Sequence, residues 1–143
     1  MAGFTDAAEF KVVFEQLFQL MNDHPEVGRR LRDARAPHKF EITDLGLEFH
    51  VVAAPDADEA SGRFLAWHWG PASEPPLITL TMASDVANRY FQGKENVMMA
   101  VFSGRVKIAG PMTKIMELAP VTTPINTVYR EWLGSHGYPH LVA

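Results

Sequence analysis

The sequence predicts an α+β fold in which an antiparallel-rich sheet carries helices on one face. Three observations predict it. Apolar residues recur at helical spacing toward both ends of the chain and alternate with polar ones between them. The alternating segments have one apolar and one polar face, with Phe40 and Ile42 set against Glu41, and Leu47, Phe49 and Val51 set against Glu48 and His50; a sheet covered on one side only reads this way. The elements run helices, strands, helices, which segregates the two types. At 143 residues and 47% hydrophobic content, residues 1–143 are expected to form one domain with a sizeable core.

Taken in order, Asp6 caps a first helix over residues 6–22, with Phe10, Val13, Phe14, Leu17 and Leu20 on one stripe. Pro25 opens a second helix over residues 26–34. Strands follow at residues 39–43, 45–53, 63–69 and 77–82. Asp44 and Gly46 turn the first pair, and the Asp- and Gly-rich residues 55–62 turn the second. In the third strand Leu65, Trp67 and Trp69 compete with Phe64 and Ala66 for the inner face. The tryptophan phase is taken inward, because tryptophan has the most apolar area to bury. Residues 70–76 form a proline-rich loop.

The stretch from Ser84 to Leu118 is the most structured text in the chain. Ser84 or Asp85 caps a helix that Gly93 ends, and Asn96 caps another that Gly104 ends. Between Gly104 and Gly110, Val106 and Ile108 alternate with Arg105 and Lys107 as a half-buried last strand, followed by a further helix. A final helix spans residues 124–135, and the tail beyond Gly137 reads as loose.

Composition excludes several classes. Without cysteine there is no disulfide scaffold, thiolate metal site or cysteine nucleophile. A net charge of −4 speaks against nucleic acid as a partner. No segment is long enough to cross a bilayer, and Asp6, Glu9, Lys11 and Glu15 break up any secretory signal at the start. The last residues, Leu141, Val142 and Ala143, are not the Ser-Lys-Leu peroxisomal address, so a bacterial, cytoplasmic setting is expected. Ser61 and Ser103 have glycine neighbours but lie outside a nucleophile-elbow motif, and glycine-rich phosphate loops are absent, so no cofactor is expected. His38 shares its phase with Phe40 and Ile42, whereas His50 and His68 oppose each other on the polar face. Two imidazoles without a third ligand make a poor zinc site, so these read as surface residues. Asp56, Asp58 and Glu59 read as solubilising turn residues.

The run Asn96-x-x-x-Ala100-x-x-x-Gly104-Arg105-Val106-Lys107-Ile108-x-Gly110, preceded by a capped helix ending in Gly93, resembles the sterol carrier protein type 2 family. Val97 stands where that family often has Pro, and Pro111 where it often has Asp or Asn; both are helix-start positions that tolerate the exchange. The close match covers about a quarter of the chain, the remainder agreeing in the order and type of elements. The resemblance implies a five-stranded mixed, mostly antiparallel sheet with helices packed on one face enclosing an apolar tunnel. It also implies non-enzymatic binding or transfer of fatty acids, acyl-CoA or sterol-like compounds, with lipid or another bulky apolar small molecule as partner and transient membrane contact.

Under that resemblance the candidate ligand-binding residues are Trp67, Trp69, Leu80, Met82, Phe91, Met98, Phe102, Ile108, Met112, Ile115, Met116, Ile125, Val128 and Trp132. Met98 with Phe102, and Met112 with Ile115 and Met116, share helix faces taken as inward. Methionine is a flexible filler that suits either a packed core or a cavity, and the tryptophans have the same two readings. The stripe Ile125, Val128, Tyr129 and Trp132 is either a lid over the cavity mouth or completion of the core. Arg29, Arg30, Arg32 and Arg35 spread around the second helix as a solvated end, or alternatively capture an anionic headgroup. Two rival functions stay open: an accessory interaction module for a lipid- or CoA-handling enzyme, with a filled core, and a small hydrolase or isomerase using His68 with a carboxylate.

Overall fold

The computed structural model describes residues 3–143 apart from 59 and 73, with the main chain alone over residues 55–58. The side chains of Asp56 and Asp58 and the whole of Glu59, expected to be solubilising, therefore lie outside the described residues.

The order is α1 (Ala7–Asp23), α2 (Val27–Ala34), β1 (His38–Ile42), β2 (Leu47–Asp58), β3 (Arg63–Trp69), β4 (Ile78–Met82), α3 (Ser84–Phe91), α4 (Val97–Phe102), β5 (Val106–Ala109), α5 (Met112–Leu118), a 3-10 turn (Ala119–Thr122), α6 (Ile125–Ser135) and a second 3-10 turn (Pro139–Leu141). The strands form one five-stranded sheet in the order β3-β2-β1-β4-β5. Every neighbouring pair is antiparallel except β1 and β4, which are parallel. The expected α+β class and mixed, mostly antiparallel sheet are what the chain adopts. β2 runs past the expected strand end at residue 53, because the hairpin resumes pairing at Asp58 opposite Arg63 after a register shift.

The registers fix the faces. His38, Phe40 and Ile42 on β1 stand opposite Val51, Phe49 and Leu47 on β2 and Ile78, Leu80 and Met82 on β4. Trp67 and Trp69 stand opposite Val51 and Phe49, so the tryptophan phase is the helix-facing one. The other face is polar: the Lys39 ammonium lies 3.1 Å from Glu41 and 3.6 Å from Glu48. His50 and His68 do pair across this face. His50, however, is buried rather than solvated, with its Nε2 3.1 Å from Glu48. That hydrogen bond, with help from Lys39, holds the Glu48 carboxyl below its usual range.

Caps show which local signals sufficed. Asp6 accepts from Glu9 N–H at 2.8 Å and Asn96 from Met99 N–H at 3.1 Å, both as expected. The start of α3 is different: the N-cap position is Ala83, though Asp85 Oδ1 accepts from the first-turn Val86 N–H at 2.9 Å. Asp44, in the β1–β2 turn, instead accepts from Ser84 N–H at 2.8 Å and from the Ser84 hydroxyl at 2.7 Å. At the end of β5, Gly110 adopts φ 133°, and a Cβ there would meet the Leu77 carbonyl at 2.5 Å, so only glycine fits.

The core is aromatic at one end. Phe10, Phe14 and Phe18 from α1 pack on Phe49, with Phe10 and Phe14 stacked at 4.0 Å and Phe40 and Phe49 at 4.8 Å. Asn22 ties the end of α1 to β3, its Oδ1 accepting from Phe64 N–H at 2.8 Å and Leu65 N–H at 3.0 Å. The C-terminal tail, expected to be loose, is pinned. Leu141 is buried, and its carbonyl accepts from Asn88 at 2.8 Å and Gln92 at 2.9 Å. Those amides are themselves buried and require partners.

Candidate functional site

Away from the aromatic end, the space between sheet and helices is not filled. A cavity of about 80 Å³ lies there. Its floor is the helix-facing side of the sheet: Phe40, Val51, Ala53, Leu65, Ile78, Leu80, Met82 and Val106. Its walls are Phe18 and Met21 on α1, Leu31 and Ala34 on α2, Val86, Tyr90 and Phe91 on α3, and Val97 on α4. Ile115 and Leu118 of α5, with Ala119 and Thr122 of the following turn, close it. Short side chains help to leave the void: Ala34, Ala36, Ala53 and Ala119 border it beside Phe18, Phe40 and Phe91.

Four polar side chains reach this apolar lining: His38, Tyr90, Glu95 and Thr122. Burial pushes the Tyr90 phenol up, keeping it protonated, beside the Thr122 hydroxyl. Burial likewise lowers His38 against the opposing effect of its hydrogen bond to Ala36, so its imidazole is neutral at pH 7. Glu95, nearly buried, is satisfied by two guanidinium groups: Arg89 donates to one oxygen at 3.1 and 3.2 Å, and Arg105 to the other at 2.5 Å. Arg89 also donates to Asp85 at 3.0 Å. The lining contains no lysine or arginine.

Of the residues nominated from sequence, Leu80, Met82, Phe91 and Ile115 line the cavity; the others lie elsewhere. Trp67 and Trp69 wedge between α1 and β3, where both indoles donate to Glu15, at 2.6 and 2.5 Å. An indole N–H seeks a partner when buried, and one carboxylate serves both. Ile108 is half-buried on β5, opposite Leu80. Ile125 is fully buried in the core, Val128 is exposed, and Trp132 stacks on His136 at 4.6 Å and Tyr138 at 5.6 Å. No residue of α6 lines the cavity, and Tyr129 of that helix is fully buried with its hydroxyl 2.7 Å from Asn88. The helix packs into the core and does not border the cavity.

The helix faces of α4 and α5 also differ from expectation. Phe102 is 83% exposed, Met112 44% and Met116 52%, while Met98 is half-buried. In α4 it is Ala100 that points inward, fully buried, and Met98 and Phe102 sit about 200° around the helix from it. In α5 the inward pair is Ile115 and Leu118, which leaves Met112 and Met116 on the flank. Residues missed from sequence, among them His38, Tyr90, Glu95 and Thr122, carry no local motif; only His38 gave a signal, sharing its phase with Phe40 and Ile42.

Among the described residues the other candidate groups lie apart. His68 is exposed and its Nε2 lies 2.9 Å from the Pro71 carbonyl, with no carboxylate partner among the described residues. Among those residues no three His, Asp or Glu side chains could hold a metal ion, and no helix is long and apolar enough to cross a membrane. Arg29 and Arg32 lie over the Phe64 ring at 5.9 and 5.1 Å, which fixes two arginines of the basic run against β3. A second, polar concavity between α1 and the β2–β3 hairpin is lined by Gln19, Asn22 and Asp23, and Asn22 is there committed to the backbone.

Solved structures with a similar fold place this architecture. The sterol carrier protein domain 2 of Helicoverpa armigera superposes with a TM-score of 0.59 at 22% identity, covering 89% of this chain and 95% of that one. The palmitated SCP2L2 of Aedes aegypti does so at 0.51 and 14% identity, over 78% of this chain and 92% of its own. The inverting sec-alkylsulfatase Pisa1 from Pseudomonas sp. matches at 0.51 and 17% identity over 68% of this chain, which spans only 16% of the sulfatase. No curated protein matches the chain. The model of the SCP-2 sterol transfer family matches residues 14–123, and with most of its length so matched the chain belongs to that family.

Proposed function

We propose that residues 1–143 act as a single, non-enzymatic carrier that binds and transfers lipid-like apolar ligands in the space between sheet and helices. Its ligands are drawn from fatty acids, acyl-CoA and sterol-like compounds. The observation that supports this reading most is the apolar cavity in the helix–sheet layer of a sterol-transfer-family fold. Each methylene moved there from water contributes about 0.8 kcal/mol, so a chain of about ten carbons gains several kcal/mol before ordering costs. A palmitated relative in the same fold supports a long-chain ligand.

At about 80 Å³ the cavity is smaller than the roughly 300–1,000 Å³ of ordinary ligand sites, so entry of a long ligand requires a wall to move. The wall formed by α5 and the turn after it is the element suited to move. It is held by the buried Ile115, Leu118 and Val121 and by the turn's contact with α2, whereas the buried side chains of α1 and α6 are sealed deeper in the core. The same small volume is the observation that favours the second reading, an interaction module whose core is simply filled. A displacement assay separates the two: a fluorescent fatty-acid probe should bind and be competed by unlabelled lipid at micromolar levels. No competition by any fatty acid, acyl-CoA or sterol would leave the interaction module.

A further inference from the structure

We propose that His38 is the polar anchor of the cavity, and that it selects a neutral ligand carrying a hydroxyl group over one carrying a carboxylate. The inference rests on the carrier reading and names the class of ligand. His38 stands on β1, in the sheet centre, on the helix-facing side with Phe40 and Ile42, and it lines the cavity close to Leu31, Ala34 and Ala36.

The tautomer follows from the hydrogen bond it makes. Nδ1 lies 2.6 Å from the Ala36 carbonyl, an oxygen that only accepts, so Nδ1 carries the proton. In a neutral ring Nε2 is then a lone-pair acceptor. It has no hydrogen-bond partner among the described residues and is not one of their fully buried unpartnered atoms, so it keeps accessible surface. Burial works against protonation of the ring, which keeps this acceptor available at neutral pH. An acceptor in an apolar chamber matches one kind of polar group, an O–H donor.

The rest of the lining argues the same way. A carboxylate would meet no lysine or arginine in the lining, and the one acid there, Glu95, already engages the Arg89 and Arg105 guanidinium groups.

The test compares 1-decanol, its methyl ether and decanoate by calorimetry at pH 7.5. In the native chain decanol should bind about tenfold tighter than the ether, the worth of one hydrogen bond, and tighter than decanoate. In His38→Leu the alcohol-to-ether gap should collapse to within about twofold, with ether binding kept. Should that variant fail to fold, nitrogen NMR of the native chain decides. The unprotonated His38 Nε2 signal should shift on adding decanol and stay in place with the ether. Equal affinity for alcohol and ether, an undiminished gap in His38→Leu, or a proton found on Nε2 overturns the assignment while leaving the carrier reading intact. Failure of all three compounds to bind overturns both.

Discussion

At the scale of single residues, the informative groups are polar side chains inside an apolar layer, because each must find a partner or leave a visible gap. Glu15 and Glu95 have found theirs, one between two indoles and the other between two guanidinium groups. His38 is satisfied at one nitrogen only. Its pKa is lowered by burial, and this gives a pH signature whose sign can be worked out. Above about 6.5, the value of an unperturbed imidazole, the ring is neutral in both folded and unfolded chains and has no effect. As the pH falls below that point the unfolded chain takes up a proton that the native chain refuses, so stability declines until the lower native pKa is passed. No lysine or arginine lines the cavity to add to or mask this effect, and Glu95 there is already paired. The melting temperature of the native chain should therefore fall faster between pH 7 and 5 than that of His38→Gln, which cannot titrate. A constant difference between the two melts across that range would show His38 to be freely protonated.

At the scale of elements, the C-terminal turn is the clearest case of structure held by contacts far apart in sequence. Leu141 fills the core and its carbonyl occupies Asn88 and Gln92, while the Ala143 N–H returns to Gln92 at 2.8 Å and Asn88 holds Tyr129. Deleting residues 139–143 should cost about 2–4 kcal/mol, from one buried leucine and the loss of hydrogen bonds to buried amides. Urea unfolding measures it, and an unchanged midpoint would mean the tail is an ornament. The sheet was legible because alternation has a period of two and the polar face is charged: Glu41 and Glu48 mark their strands' phases without ambiguity. The caps at Asp6 and Asn96 were legible because their partners lie three residues on. The Asp44 cap on α3 was not, since that carboxylate is forty residues from the N–H it accepts. Nor was the phase of α4, whose six residues are too few to fix a face by periodicity; burying Ala100 there turned the larger Met98 and Phe102 outward. The cavity was least legible of all. It is made in part by what alanines at positions 34, 36, 53 and 119 leave unfilled, and an alanine in a sequence does not say whether a neighbour fills its space.

At the scale of the whole molecule, the two ends of one helix–sheet layer are packed differently, and that difference carries a kinetic consequence. Six phenylalanines and Tyr129 interlock around α1, so that end has little freedom to rearrange. The other end shares Phe18, Phe40 and Phe91 with it but is otherwise lined mostly by alanines and aliphatic side chains, and is closed by α5 and its turn. A decyl chain cannot enter a space of about 80 Å³ as it stands, so opening must accompany binding. If the open form pre-exists as a minor state, the observed rate of binding should rise with ligand and then level off at the rate of opening. Stopped-flow mixing with an excess of an environment-sensitive fatty-acid probe reads this directly. Ile115→Ala should raise the plateau, because it removes packing that holds α5 against the sheet, while Val128→Ala on the outer side of α6 should leave it alone. A rate that climbs linearly to the highest concentrations, with a slope within the usual roughly 10⁵–10⁷ M⁻¹s⁻¹ of unhindered docking, would mean that the site stands open and that α5 gates nothing.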